Sequence, residues 1–208
     1  MADASNRVTE PALGRPRSET ARRAILNAID DMLVEQGYAA LTMKGIAERA
    51  GVGRQTVYRW WSNKAEILLE ACVHDAASEL AVVLTADPVA DTANYLVAVV
   101  DFLTESVAGA SYRALLGEAQ QDAGVAELLR GNDVLAASAA PVIAHVVDTG
   151  TPVPAISAEE LVAELVGPVV YQVLSGAEVP TKAQLRRRAQ RFVDDHRGEP
   201  ISTARRRR

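Results

Sequence analysis

Apolar residues recur along almost the whole chain at intervals of three and four, the spacing that gives a helix one buried face, and no strand-like alternation survives between these runs. The pattern predicts an all-α protein. The first helix is expected from Ser18, a good N-cap, to Gln36, with Gly37 ending it and Ala21, Ile25, Ala28, Ile29, Met32 and Leu33 as its buried stripe. A short helix follows Thr42, whose hydroxyl can cap it, and carries Met43, Ile46, Ala47 and Ala50 on one side. Gly51-Val52-Gly53 must stop it, because two residues that tolerate positive φ flank one apolar plug. A second short helix then runs through Arg54 to Tyr58, with Val57 and Trp61 turned towards a core. Asn63-Lys64-Ala65-Glu66 reads as a capping box that starts a linking helix, expected to reach about Thr85 on Ile67, Leu68, Ala71, Cys72, Leu80, Val83 and Leu84 and to close at Asp87-Pro88. Beyond it helices are expected at about 90–108, 111–121, 124–148, 158–175 and 181–196. Gly109, Asp122, Thr149 to Pro154 and Ser175 to Pro180 separate them, and Pro141 and Pro168 should kink the third and fourth.

Two short helices joined by a tight turn cross steeply, and the second projects from the surface. Its outward side would carry Arg54, Gln55, Thr56, Tyr58 and Arg59. Arginine pairs with guanine, glutamine with adenine, threonine with a thymine methyl or a phosphate, and tyrosine with the backbone, so the set suits double-stranded DNA. Lys44, Arg54, Gln55 and Thr56 are the candidates for base or near-base contact, and Thr42, Tyr58, Arg59, Trp60 and Lys64 for phosphates.

This run resembles the DNA-binding domain of the TetR family of bacterial repressors, on Gly51, Val52, Tyr58, Trp61, Asn63 and Lys64, with Thr42, Ile46 and Ala47 matching upstream. Gly45 and Gly53 depart from the family's pattern, standing where a helix-favouring polar residue and a capping Ser or Thr are usual. The resemblance implies an N-terminal three-helix helix-turn-helix domain followed by a helical ligand-binding and dimerisation domain. It also implies a cavity for a small-molecule inducer, with Phe102, Tyr112, His145, Tyr171 and Gln172 as candidate lining and Tyr95 and His74 behind them. A Val- and Ala-rich middle with few aromatics points to an apolar or weakly cationic inducer.

The helix over Leu161 to Leu174 is apolar nearly all round, so it needs cover on more than one side, and a second copy of the chain is the expected cover. Leu161, Leu165, Val166, Val169, Val170 and Val173, with Leu185 and Phe192 of the last helix, form the expected four-helix homodimer interface, the dimerisation mode that the resemblance also implies. Two reading heads on one face of DNA require a roughly palindromic operator.

The net charge of -5 changes this picture only until its distribution is read. Residues 1–70 hold ten Lys or Arg against nine acids, residues 71–180 two against fifteen, and residues 181–208 ten against three. The acidic middle is set apart from a near-neutral head, as a two-part protein with one end on phosphate would show. Gly14-Arg15-Pro16-Arg17 looks like the core of a minor-groove hook: Pro16 should prevent helix there, leaving Arg15 and Arg17 on an extended arm. The expected division is a disordered basic arm over 1–17, the reading domain over 18–64, the ligand-binding and dimerisation domain over 65–197 and a basic tail over 198–208.

One cysteine, Cys72, excludes an internal disulfide framework and suits a reducing compartment. Without a signal-like or membrane-spanning stretch, the expected location is the cytoplasm. His74, His145 and His196 lie on three different expected helices, without Cys-x-x-Cys or Gly-x-Ser-x-Gly, so neither an enzyme nor a metal or cofactor site is expected. The competing class is a helical interaction protein that keeps the shape of the reading head without regulatory use.

Overall fold

The computed structural model describes residues 15–147 and 156–197. The elements are α1 (Arg15–Gln36), a 3₁₀ turn (Tyr38–Ala40), α2 (Met43–Arg49), α3 (Arg54–Tyr58), α4 (Lys64–Glu79), α5 (Pro88–Glu105), α6 (Val107–Glu118), α7 (Ala123–Arg130), α8 (Val134–Val147), α9 (Ala158–Leu174) and α10 (Lys182–His196). All regular structure among the described residues is helical. The arm expected before residue 15, the link over 149–154 and the basic tail over 198–208 lie outside the described residues. The chain divides into two compact units between Ile67 and Leu68, inside α4.

In the first unit α1 packs on α2 and α2 on α3. Ile25, Ala28, Ile29, Met32 and Leu33 of α1 are buried together with Leu41, Ile46, Ala47, Val57 and Trp61. Helix α1 starts at Arg15, earlier than Ser18, so the extended arm expected at Arg15 and Arg17 is corrected. Pro16 lies in the first turn, where a helical residue has no N–H acceptor to lose and the fixed φ of proline suits the helix.

The second unit is built around α5, which packs against α6, α8, α9 and α10. Tyr95, Leu96, Val99, Val100, Phe102 and Leu103 are buried along it. Polar groups along α5 have partners: Thr92 Oγ1 donates to the Pro88 carbonyl at 2.7 Å, and buried Asp91 accepts from Thr85 N and Oγ1 at 2.6 and 2.8 Å. The Tyr95 hydroxyl lies 3.1 Å from the Leu135 carbonyl and 2.9 Å from Ser138 Oγ, and burial pushes the phenol up to about 12.

Three expected boundaries move for local reasons. Helix α4 stops at Glu79, well before Thr85; Val82, Val83 and Thr85 are β-branched and Val83 is exposed, so nothing rewards continuing the helix. Asp87 does not close α4 but N-caps α5, accepting from Val89 N and Ala90 N, with Pro88 in the first turn. The break expected at Gly109 falls at Ser106, and Gly109 is buried within α6, where a Cβ would lie 1.7 Å from the Phe102 carbonyl oxygen. The long helix over 124–148 is two, because Asp133 caps α8 through Leu135 N and Ala136 N, both at 3.0 Å.

Candidate nucleic-acid interface

The turn before α3 is fixed by backbone hydrogen bonds. Gly51 N donates to Glu48 O at 3.2 Å and Val52 N to Ala47 O at 3.0 Å, a paired closure that requires the left-handed residue supplied by Gly51 at φ 66°. Thr42 Oγ1 accepts from Gly45 N at 3.0 Å and caps α2. Its O–H stays available to a phosphate oxygen. The absence of a side chain at Gly45 has a packing reason, since a Cβ would crowd Thr42 Oγ1 at 3.1 Å and Met32 Cε at 3.2 Å. Gly53 has no such reason: it is the N-cap of α3 and offers no side-chain cap.

On α3, Val57 is fully buried, whereas Arg54, Gln55, Tyr58 and Arg59 are exposed and Thr56 is half-buried. Tyr58 keeps 56% of its surface. Among the described residues Arg54 and Arg59 form no ion pair; Arg59 lies over the Trp60 ring, 5.0 Å from its centroid. Trp60 meets Trp61 edge to face at 5.4 Å, so half-buried Trp60 braces the end of the helix while Trp61 anchors it. The segment thus presents two guanidinium groups, a carboxamide and a phenol on one outward side, with the chemistry to donate to phosphate and to base edges.

Lys44 and Lys64 are less free than their sequence positions suggest. Lys44 Nζ lies 3.7 Å from Glu48 on the next turn of α2. Lys64 Nζ donates to the Tyr38 carbonyl at 2.8 Å and sits 4.0 Å from the centre of the Tyr38 ring. The contact ties the first residue of α4 to the 3₁₀ turn, and two of its N–H groups remain for a phosphate. Sequence spacing gave no sign of Tyr38, because the partners are 26 residues apart. Nor did it show the ion pair of Arg49 with Glu35, which fastens α2 to α1 and lowers the Glu35 carboxyl below its ordinary value through that hydrogen bond. Asn63 and Glu66 cap α4: Glu66 N donates to Asn63 Oδ1 at 3.0 Å, and Glu66 accepts from Ser62 N at 2.7 Å.

The expected inducer lining is not brought together. Phe102 and Tyr112 are buried with their rings 6.2 Å apart, His145 Nε2 faces Asp91 at 3.6 Å, and Tyr171 is 72% exposed. Gln172 accepts from Arg188 on another face of the unit, 3.3 Å away. A groove of about 370 Å³ lies elsewhere, between α4 and α8, walled by Val73, Ala77, Leu80, Val82, Val134 and Pro141. None of the five expected residues lines it. Short, mostly apolar side chains make it, and in the sequence nothing sets them apart from residues of a packed core.

The expected dimer residues divide likewise. Leu161, Leu165, Val166, Val169, Leu185 and Phe192 are buried within the single chain, so they are already covered, and only Val170 and Val173 stay half-exposed. Helix α9 needed less outside cover than its composition suggested, because α5 and α8 pack against it and its Glu164 and Gln172 reach His196 and Arg188 of α10. Among the described residues no helix is long and apolar enough to cross a membrane.

The family described as bacterial regulatory proteins, tetR family, matches residues 25–71, and the tetracyclin repressor-like C-terminal domain matches residues 82–192. The chain is 40% identical over 117 residues to the HTH-type transcriptional regulator YdeS of Bacillus subtilis, covering 56% of this chain and 59% of that protein. It is 39% identical over 62 residues to the DNA-binding transcriptional repressor TetR of Mycobacteroides abscessus, covering 29% of this chain and 33% of that one. The matched region thus spans less than two thirds of either relative. Among solved structures, the TetR family transcription regulator SCO0332 superposes with a TM-score of 0.69 at 29% identity, over 84% of this chain and 97% of that one.

Proposed function

This chain belongs to the tetR family of bacterial regulatory proteins, and from that premise we propose that it is a cytoplasmic transcriptional repressor and not an enzyme, binding a palindromic DNA operator as a homodimer and released by a small molecule. The observation that carries the reading is the division of α3: Val57 buried, and Arg54, Gln55, Tyr58 and Arg59 outward with no ion pair among the described residues. Exposed, unneutralised arginines beside a carboxamide have little to do for the fold. They suit a major groove, with Arg54, Gln55 and Thr56 towards bases and Thr42, Tyr58, Arg59 and Lys64 towards phosphates.

Release is supported by α4. The helix begins with Lys64, tied to Tyr38, and its later residues Val73, Ala76, Ala77 and Leu80 wall the apolar groove. An uncharged, mainly hydrocarbon inducer seated there would bear on the same helix whose first residue serves the DNA side. Linkage then requires DNA to weaken the inducer by the factor that the inducer weakens DNA.

Fragments of genomic DNA retained by the purified protein test the reading. Their common sequence is expected to be two-fold symmetric, with half-sites about one helical turn apart. Recovery of fragments without any shared sequence would instead favour an interaction protein that has kept the shape of a reading head.

A further inference from the structure

The outward side of α10 carries more positive charge than the fold uses. Arg187 and Arg188 stand four and three places before Arg191, so the three share one helix face, and like charges at that spacing repel. Among the described residues none of them is paired with a carboxylate. They line a hollow of about 470 Å³ together with Gln172 near the end of α9 and buried Pro180, and among the described residues no acidic or aromatic side chain lines it. Half-buried Arg188 is held in place: its Nη2 donates to Gln172 Oε1 at 3.3 Å, while Nη1 lies out of solvent with no acceptor. Burial and, after it, the charge of Arg191 lower its pKa. A guanidinium so oriented and so short of acceptors costs the fold stability that an oxyanion would restore. The carboxamides around it are only part-used. Gln184 Oε1 accepts from Thr181 N and Oγ1 at 2.7 and 2.9 Å, Gln172 Oε1 is taken by Arg188, and Gln190 Nε2 donates to Asp194 at 2.8 Å. That leaves the amide N–H groups of Gln172 and Gln184 and the carbonyl of Gln190 to meet a ligand.

We propose that this hollow is a binding site for a phosphate monoester with a small hydroxylated body, the phosphate lying among Arg187, Arg188 and Arg191 and the hydroxyls meeting the carboxamides of Gln172, Gln184 and Gln190. Cations without a counter-charge suit an anion that carries more than one charge, and the planar guanidinium fork matches phosphate oxygens in pairs. A monoester holds about two negative charges near neutral pH. Its body is polar, because donors and an acceptor surround it and no ring is there to stack on. A hollow of about 470 Å³ takes more than a bare phosphate ion, since sites of that size hold whole small molecules. The site differs from the apolar groove between α4 and α8 in place and in chemistry, and it stands whether or not that groove takes an inducer.

Calorimetric titration of the full chain at fixed ionic strength tests this, with glycerol 3-phosphate, inorganic phosphate and glycerol as probes. Glycerol 3-phosphate should bind at a single site per chain, inorganic phosphate more weakly and glycerol not at all. Arg188→Ala and Arg191→Ala should each weaken the ester about tenfold or more, the effect of losing a charge-assisted hydrogen bond. Arg186→Ala, on the same helix but not in the wall of the hollow, should leave it nearly unchanged. Arg191 is exposed, so its variant keeps the test open if Arg188→Ala fails to fold. Wild-type chain that ignores the ester, or equal affinity in all three variants, would overturn the proposal. Inorganic phosphate bound as tightly as the ester would overturn the hydroxylated body. Binding to vesicles of phosphatidic acid but not to the soluble ester would assign the hollow to a lipid surface instead. Variants at Arg188 and Arg191 that alter only the association of chains in sedimentation, with no ester bound by the wild type, would give the hollow to a second copy and overturn the site.

Discussion

On α3 the outward residues Arg54, Gln55, Tyr58 and Arg59 stand clear of a buried Val57, whereas in the second unit the polar groups Asp91, Thr92 and Tyr95 of α5 are all inside and bonded to backbone or to the hydroxyls of Thr85 and Ser138. Both sets are polar residues on amphipathic helices. What separates them is whether the fold supplies their partners, and a polar residue the fold leaves unpartnered on a rigid element is the better candidate for a site. The first unit also holds its shape by local devices, the Thr42 cap, the Gly51 turn and the Asn63–Glu66 cap, while the second is held by burial around one central helix.

The sharpest break of this comparison is Trp61→Ala. Trp61 is buried under the end of α3, and its removal should cost about 3–5 kcal/mol in thermal or denaturant unfolding and abolish DNA binding with it. A wild-type melting curve would show that α3 is not anchored there. Gly51→Ala comes next, since a φ of 66° strains any side chain, at about 1–2 kcal/mol of unfolding free energy, with nothing within 4 Å to clash. Equal stability would mean the turn can adopt another form.

In the second unit Tyr95→Phe probes burial. The phenol is held protonated in the fold, at about 12 against an ordinary 10, so stability is unaffected below pH 10 and falls as pH rises from 10 to 12. The variant should lose about 1 kcal/mol at neutral pH with the hydrogen bond, yet show a shallower alkaline decline. Burial raises the Tyr112 phenol too, so some decline persists. An unchanged alkaline limb would contradict the buried-phenol account. The smallest effect belongs to Gly53→Ser: φ -69° and ψ 143° suit a capping serine, a Cβ there meets only Thr56 Oγ1 at 4.0 Å, and a gain of a few tenths of a kcal/mol in melting is expected.

The reading head was legible because its signals are local. Thr42, Gly51, Val57, Trp61 and Asn63 lie within about six turns of helix, and each acts on its immediate neighbours. The second unit was less so. Helix α9 was expected to need a second copy as cover because it is apolar nearly all round, but burial depends on what packs around a helix, and α5 and α8 already cover its Leu161, Leu165, Val166 and Val169. A groove of Val, Ala and Leu carries no sequence mark distinguishing it from core. Lys64 and Tyr38, or Arg188 and Gln172, meet only through tertiary packing, which periodicity does not encode.

The most direct test of the outward side of α3 is equilibrium titration of wild type and Arg54→Ala against the selected duplex and a scrambled one at several salt concentrations. Wild-type affinity should fall steeply and linearly on a log-log plot as salt neutralises the phosphate contacts. Arg54→Ala should lose about 1–3 kcal/mol on the selected duplex and little on the scrambled one, with melting unchanged. A salt-independent affinity, or equal losses on both duplexes, would contradict the assignment of α3 as the sequence-reading helix.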